Sequence, residues 1–245
     1  MSRPVRYVVP AIALGIALSV SGCGVASQAI SAATAAASSA AAQVNLPSAQ
    51  DLWTSTKASM GAATSAHVKG SATTGSLQIA VEIIGNRDGT NSKMMTSTAT
   101  GGLGEVLTIG ASQYVKGDAA FWMQAGVSDS VIATIGTKYV KSGTSKDNGA
   151  ITVGDALDSM AGSSFNLVDV VNLKVDKVDL NGTAAYLISE RVATADQLKM
   201  WVSADGASNL LQLKAAGTSP VDLTFSEWNA VAPFTAPTAD LVITP

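Results

Sequence analysis

Leu77, Ile79, Val81 and Ile83 alternate with Ser76, Gln78, Ala80 and Glu82. This period of two belongs to a strand with one buried face. Asn86-Arg87-Asp88-Gly89 supplies turn residues, and 91–98 returns as a strand rich in Thr, Ser and Met. Gly101, Gly102 and Gly104 interrupt the pattern before two short strands at 105–109 and 113–115. The C-terminal third repeats the theme. A long strand reading over 165–180 leads into Asn181-Gly182, the residue pair of a type I′ hairpin, and on to 183–191. Strands at 197–203, 210–215 and 221–226 complete a meander, with an Asp205-Gly206 turn after the first. Val221, Leu223 and Phe225 alternate with Asp222, Thr224 and Ser226.

Three stretches carry the helical period instead. Ser48-Ala49-Gln50-Asp51 resembles a capping box with Asp in place of Glu. Leu52, Thr56, Met60 and Ala63 then recur at helical spacing, Trp53 widens their face, and the pattern ends near Thr64-Ser65. Residues 118–124 and 128–135 read as helices, the second turning Val131, Ile132 and Ile135 inward. Thr152-Val153-Gly154-Asp155 is a further capping-box start, and that helix stops at Gly162. Helices set between two runs of strands predict an α+β fold with one large curved antiparallel sheet. The chain shows neither a tandem repeat nor a second linker, so 49–245 reads as a single domain.

The N-terminal pattern is of another kind. Arg3 and Arg6 precede an uncharged apolar run from Tyr7 to Val20, long enough for a secretory signal and short for a bilayer span. It ends in Val20-Ser21-Gly22-Cys23, small residues directly before a cysteine. This matches the bacterial lipobox, so 1–22 is expected to be a lipoprotein signal peptide and Cys23 the lipidated first residue of the mature chain. Diacylglycerol with a further acyl chain suffices for stable anchoring where one chain is marginal. Residues 23–48 are rich in Ala and Ser and carry no charge. As a coil such a tether reaches roughly 25–30 Å from the membrane. The expected location is the cell membrane, lipid-anchored on the extracytoplasmic side.

Composition narrows the function by exclusion. The net charge of -3 gives no basic footprint for nucleic acid. Cleavage after residue 22 removes two of the 15 basic residues and none of the 18 acidic ones, which makes the mature chain more acidic. One cysteine and one histidine leave no zinc cage and no histidine-paired nucleophile. There is no Gly-x-Ser-x-Gly, Ser-x-x-Lys, His-Glu-x-x-His or phosphate-cradling loop. His67 reads as a half-exposed strand residue without an orienting partner in the sequence, and Asp155 and Asp158 as capping and solvated carboxylates. No catalytic residue, metal or cofactor is expected, and the chain reads as a non-enzyme.

What remains is aliphatic surface. Aromatic residues make up only 5% of the chain while 47% is hydrophobic. Small aliphatic walls on a curved sheet can leave room for a ligand where stacked aromatics would fill it. Met94-Met95, Met123, Met160 and Met200 add adaptable surface, and Phe121-Trp122-Met123 is placed to cover one mouth.

Ser65-Ala66-His67-Val68-Lys69-Gly70 after an amphipathic helix, Gln113-Tyr114-Val115-Lys116-Gly117 with Phe121-Trp122, and Leu223-Thr224-Phe225-Ser226-Glu227-Trp228-Asn229 followed by Pro237 stand in this order behind the lipobox. Together they resemble the LppX/LprG lipoproteins of actinobacteria, over most of 50–240. The resemblance implies a LolA/LolB-like fold: a curved antiparallel half-barrel with helices over its concave face and a hollow for acyl chains. It implies a role in moving lipids or glycolipids across the envelope and brings no catalytic residue. The Ala/Ser tether and Asp147-Asn148-Gly149, a polar turn, depart from the family pattern.

The expectation is therefore a carrier anchored through Cys23. Leu77, Ile79, Val81 and Ile83 on a strand, with Val131, Ile135 and Leu157 on helices, contact the acyl chains of a lipid or glycolipid. An envelope transporter is a candidate partner and nucleic acid is not. The alternative is an envelope lipoprotein with a closed core that acts as a protein-interaction or regulatory module without lipid cargo.

Overall fold

The computed structural model describes residues 46–74, 77–98, 102–143, 151–162, 173–190, 198–217 and 220–244. The signal segment, Cys23, nearly all of the tether, the Asp147-Asn148-Gly149 turn and the first part of the strand read over 165–180 lie outside them. Ser48 caps helix α1 (Ala49–Ala62) by accepting the Asp51 N–H, and Leu52, Trp53, Thr56 and Met60 form its buried stripe. Two strands, β1 (Ser65–Thr74) and β2 (Leu77–Asn86), follow it. They lead into β3 (Asn91–Thr98), β4 (Leu103–Ile109) and β5 (Ser112–Gly117). Helices α2 (Ala119–Gln124) and α3 (Asp129–Ile135) interrupt the meander before β6 (Tyr139–Ser142), a strand not anticipated from the sequence. Helix α4 (Val153–Ala161) opens on a complete capping box between Thr152 and Asp155 and ends at Gly162.

The second meander runs β7 (Leu173–Leu180), β8 (Thr183–Glu190), β9 (Leu198–Ser203), β10 (Leu210–Ala215) and β11 (Val221–Ser226). Asn181 and Gly182 both take positive φ, 54° and 86°, as a type I′ turn requires. A tail ends in β12 (Val242–Ile243), which pairs in parallel with β6. These twelve strands make one curved, unclosed sheet in the order β12-β6-β5-β4-β3-β2-β1-β11-β10-β9-β8-β7. Apart from β12 it is antiparallel throughout. The fold is α+β, with four helices among the described residues.

The register explains why one face is buried. Directly paired residues point to the same side. Ile243, Val140, Val115, Val106, Met94, Ile83, Val68 and Phe225 are successive cross-strand partners. Two residues along β11, Leu223 continues the row through Leu213, Met200, Ile188 and Val175. This inner face carries two cores. The larger joins α1 and α4 to β1, β2 and β7–β11, and the smaller joins Trp122 and Ile135 to Val106, Val115 and Val140. Met94 packs against both. Met160 and Met200 are core residues at 3% and 1% exposure, so of the methionines read as adaptable surface these two are packing groups. No helix among the described residues is long and apolar enough to cross a membrane.

Candidate functional site

Helix α4 lies over β1 and β2, while α2 lies over β4 and β5. Strand β3 runs between them, and its inner residues differ from those of its neighbours. Met94, Thr96 and Thr98 are half-buried, whereas Ile79, Val81 and Ile83 on β2 and Val106 on β4 are buried. Thr96 stands between Val81 and Gly104, and Thr98 pairs with Ile79. The inner face is thus less covered over β3 than over β2, whose buried aliphatic side chains bound this strip on one side.

Phe121 forms the opposite wall. Gly104 and Gly117 are direct partners, and a Cβ on either would collide with the Phe121 ring. The ring lies on bare backbone, an aromatic covering glycines that would otherwise leave the sheet unpacked. Phe121 stands edge-on to Trp122 with ring centroids 5.1 Å apart. The Asp118 side chain holds the step in place, accepting the N–H groups of Leu103 (2.9 Å) and Phe121 (2.8 Å). Of the glycines that break the strand pattern, Gly104 thus seats an aromatic side chain, while Gly102 lies against the backbone of Phe121.

The seven residues expected to touch acyl chains do not share one place. Ile79 and Val81 are buried beside Thr98 and Thr96, and Val81 belongs to the larger core. Ile83 and Leu157, at 3% and 0% exposure, belong to the larger core. Ile135 lies in the smaller core, with Val131 half-buried against it. Leu77 is 38% exposed at the start of β2. Periodicity did not point to Met94, Thr96, Thr98 or Phe121. The signal lay in cross-strand register, which a single strand does not carry.

A second hollow, a polar cleft of about 740 Å³, opens at the other end of the strands. Gly61–Thr64, Asn86–Asp88, Thr152, Gly154, Asp155 and Asp158 line it, and none of the seven expected residues does. Arg87 is already engaged there, donating to the Met60 carbonyl at 2.7 Å and pairing with Asp158.

On the outer face His67 has the partners that its own segment lacks. Its Nε2 lies 2.8 Å from Glu82 and its Nδ1 3.3 Å from Glu227, and Lys69 reaches Glu82 at 3.3 Å. A doubly protonated ring donates to both carboxylates, and a neutral ring to one. Burial alone would raise the Glu82 pKa, but hydrogen bonds from His67 and Lys69, together with their charge, hold it below its usual value. Tyr139 is pushed up to about 12 by burial, then by its 2.7 Å hydrogen bond to Glu105 and by that carboxylate's charge. The described residues contain no group of three His, Cys, Asp or Glu side chains able to hold a metal.

No family model matches the sequence, and neither does any curated protein. Solved structures show a likeness in the path of the chain. The lipoprotein LppX of Mycobacterium tuberculosis shares 15% identity at a TM-score of 0.41, over 76% of this chain and 98% of that one. MucB in its complex with MucA from Pseudomonas aeruginosa shares 10% identity at 0.32, over 78% of this chain and 58% of that chain. A Vibrio parahaemolyticus domain, described as of the outer membrane lipoprotein-sorting kind, shares 9% at 0.20 over 77% and 93%. Likeness at this level concerns the fold and carries no function across.

Proposed function

We propose that this chain is a non-enzymatic, membrane-anchored lipoprotein that holds acyl chains of a lipid or glycolipid in a slot over β3 and carries the lipid across the cell envelope. The observation that carries this reading is that Met94, Thr96 and Thr98 are half-buried on the inner face of β3 while their β2 partners Ile83, Val81 and Ile79 are buried. An acyl chain laid along β3 completes the apolar row that crosses the sheet. Each methylene it buries contributes about 0.8 kcal/mol, so half a long chain already gives useful affinity. The lipobox cysteine, Cys23, holds the carrier to the extracytoplasmic side of the membrane, within reach of an envelope transporter that supplies or accepts the lipid.

A second reading, an envelope interaction module without cargo, draws support from the tight packing of Ile83, Ile135 and Leu157. Titration of the purified protein with a fluorescent fatty acyl probe separates the two. Saturable uptake reversed by unlabelled fatty acid is expected of the carrier. A folded protein that takes up no probe is the interaction module.

A further inference from the structure

Among the described residues the exposed large hydrophobic side chains are Leu77, Leu103, Met123 and Leu241, between 38% and 56% exposed. They are far apart in sequence, yet the topology gathers them at one end of the sheet. Leu77 opens β2 opposite the last residue of β1, and Leu103 opens β4 opposite Ser97 near the end of β3. Met123 lies on α2, which leaves the end of β5. Leu241 precedes Val242, whose partner Tyr139 opens β6 at that same end. From β2 to β12 this rim crosses six strands, about 24 Å at the usual strand spacing. The opposite end carries none of the four; its turns at Asn86–Thr90, Asn181-Gly182 and 204–209 are polar, beside half-buried Trp228, Val231 and Phe234.

Helix α1 relates this asymmetry to the N-terminus. Its last turns are pinned at the polar end, where Ser59 donates to Asn209 at 2.6 Å and the Met60 carbonyl accepts from Arg87. Fourteen residues rise about 21 Å, which carries the first residue of α1 away from the polar end. The chain before it holds the apolar run and Cys23.

We infer that the end bearing Leu77, Leu103, Met123 and Leu241 rests on a lipid bilayer, the one into which the N-terminus is anchored. Scattered singly, such side chains need no explanation; what calls for one is that all four stand at one end of the sheet. A bilayer fits this patch because it is a rim of separate side chains rather than a groove, and because the anchor-bearing segment leaves from α1. The slot over β3 then ends at the membrane surface. The placement rests on the Cys23 anchor of the proposed function but needs no cargo in the slot, so it stands or falls separately from acyl binding.

The test uses the full-length lipidated protein in phosphatidylethanolamine–phosphatidylglycerol vesicles. An environment-sensitive fluorophore is placed through Leu103→Cys, Met123→Cys or, at the polar end, Asn181→Cys. Nitroxide-bearing lipids are expected to quench most of the emission at 103 and 123 and little at 181. Equal quenching at all three positions, or none at 103 and 123, overturns the proposal. A shift to an apolar environment without lipid quenching assigns the patch to a second copy or a protein partner, and overturns it as well.

Discussion

The ring of Phe121 occupies the space where a side chain on Gly104 would stand. A residue read from sequence as a cover for a mouth is therefore a wall of the slot, and the glycine that breaks the strand pattern is its seat. Gly104→Val should expel the ring and overpack the site, at a cost of about 1–3 kcal/mol. A urea midpoint lowered with the slope unchanged is the expected result. An unchanged midpoint would place Phe121 elsewhere.

The slot makes opposite forecasts for two residues of the same face. Thr96 is half-buried on β3, and Ile83 is 3% exposed beneath α4. Thr96→Trp should fill open space, abolish acyl-probe uptake and leave the thermal midpoint close to wild type. Ile83→Trp should destabilise by about 1–3 kcal/mol, because it enters a packed core. Equal destabilisation by both would mean that no slot exists over β3.

Asn229 ties the start of β1 to the chain that follows β11. Its side chain accepts the Thr64 N–H at 2.7 Å and its own N–H donates to the Ser65 carbonyl at 2.9 Å, at a φ of 57°. Asn tolerates that left-handed conformation better than most residues. Asn229→Ala removes the bonds that its side chain accepts from the Thr64 N–H and hydroxyl and adds strain, so a loss of about 1–2 kcal/mol is expected in chemical denaturation.

Glu82 gives a pH dependence of known sign. Its folded pKa lies below the ordinary 4.5, so its contribution is fully present above that value. As pH falls below about 4.5 the unfolded chain takes up the proton first and the contribution is lost. Glu82→Gln should flatten this acid limb of the stability curve while changing little of its shape near neutrality. An acid limb of unchanged slope would assign the effect to other carboxylates.

Much of this architecture was legible in the residues. The alternation at 77–83, the Asn181-Gly182 turn, the Thr152 capping box and the stripe from Leu52 to Met60 are local signals, and each appears where the sequence put it. Strand β6 and the tail strand β12 were not legible. Four and two residues long, they exist through pairing with each other and with β5. The same difference separates the elements from the site. Period two identified Ile79 and Val81 as inward-facing, but helix placement decided that Ile83 is fully covered while Met94 and Thr96 are only half-buried. His67 found Glu82 and Glu227 only because β2 and the turn after β11 flank β1.

The central claim is that an acyl chain occupies the slot over β3. Native mass spectrometry of full-length protein, purified in mild conditions from its own host, tests this most directly. A co-purifying species of lipid mass that is lost in Thr96→Trp is the expected result. Protein that carries no lipid beyond its anchor, and takes up no acyl probe afterwards, would contradict it.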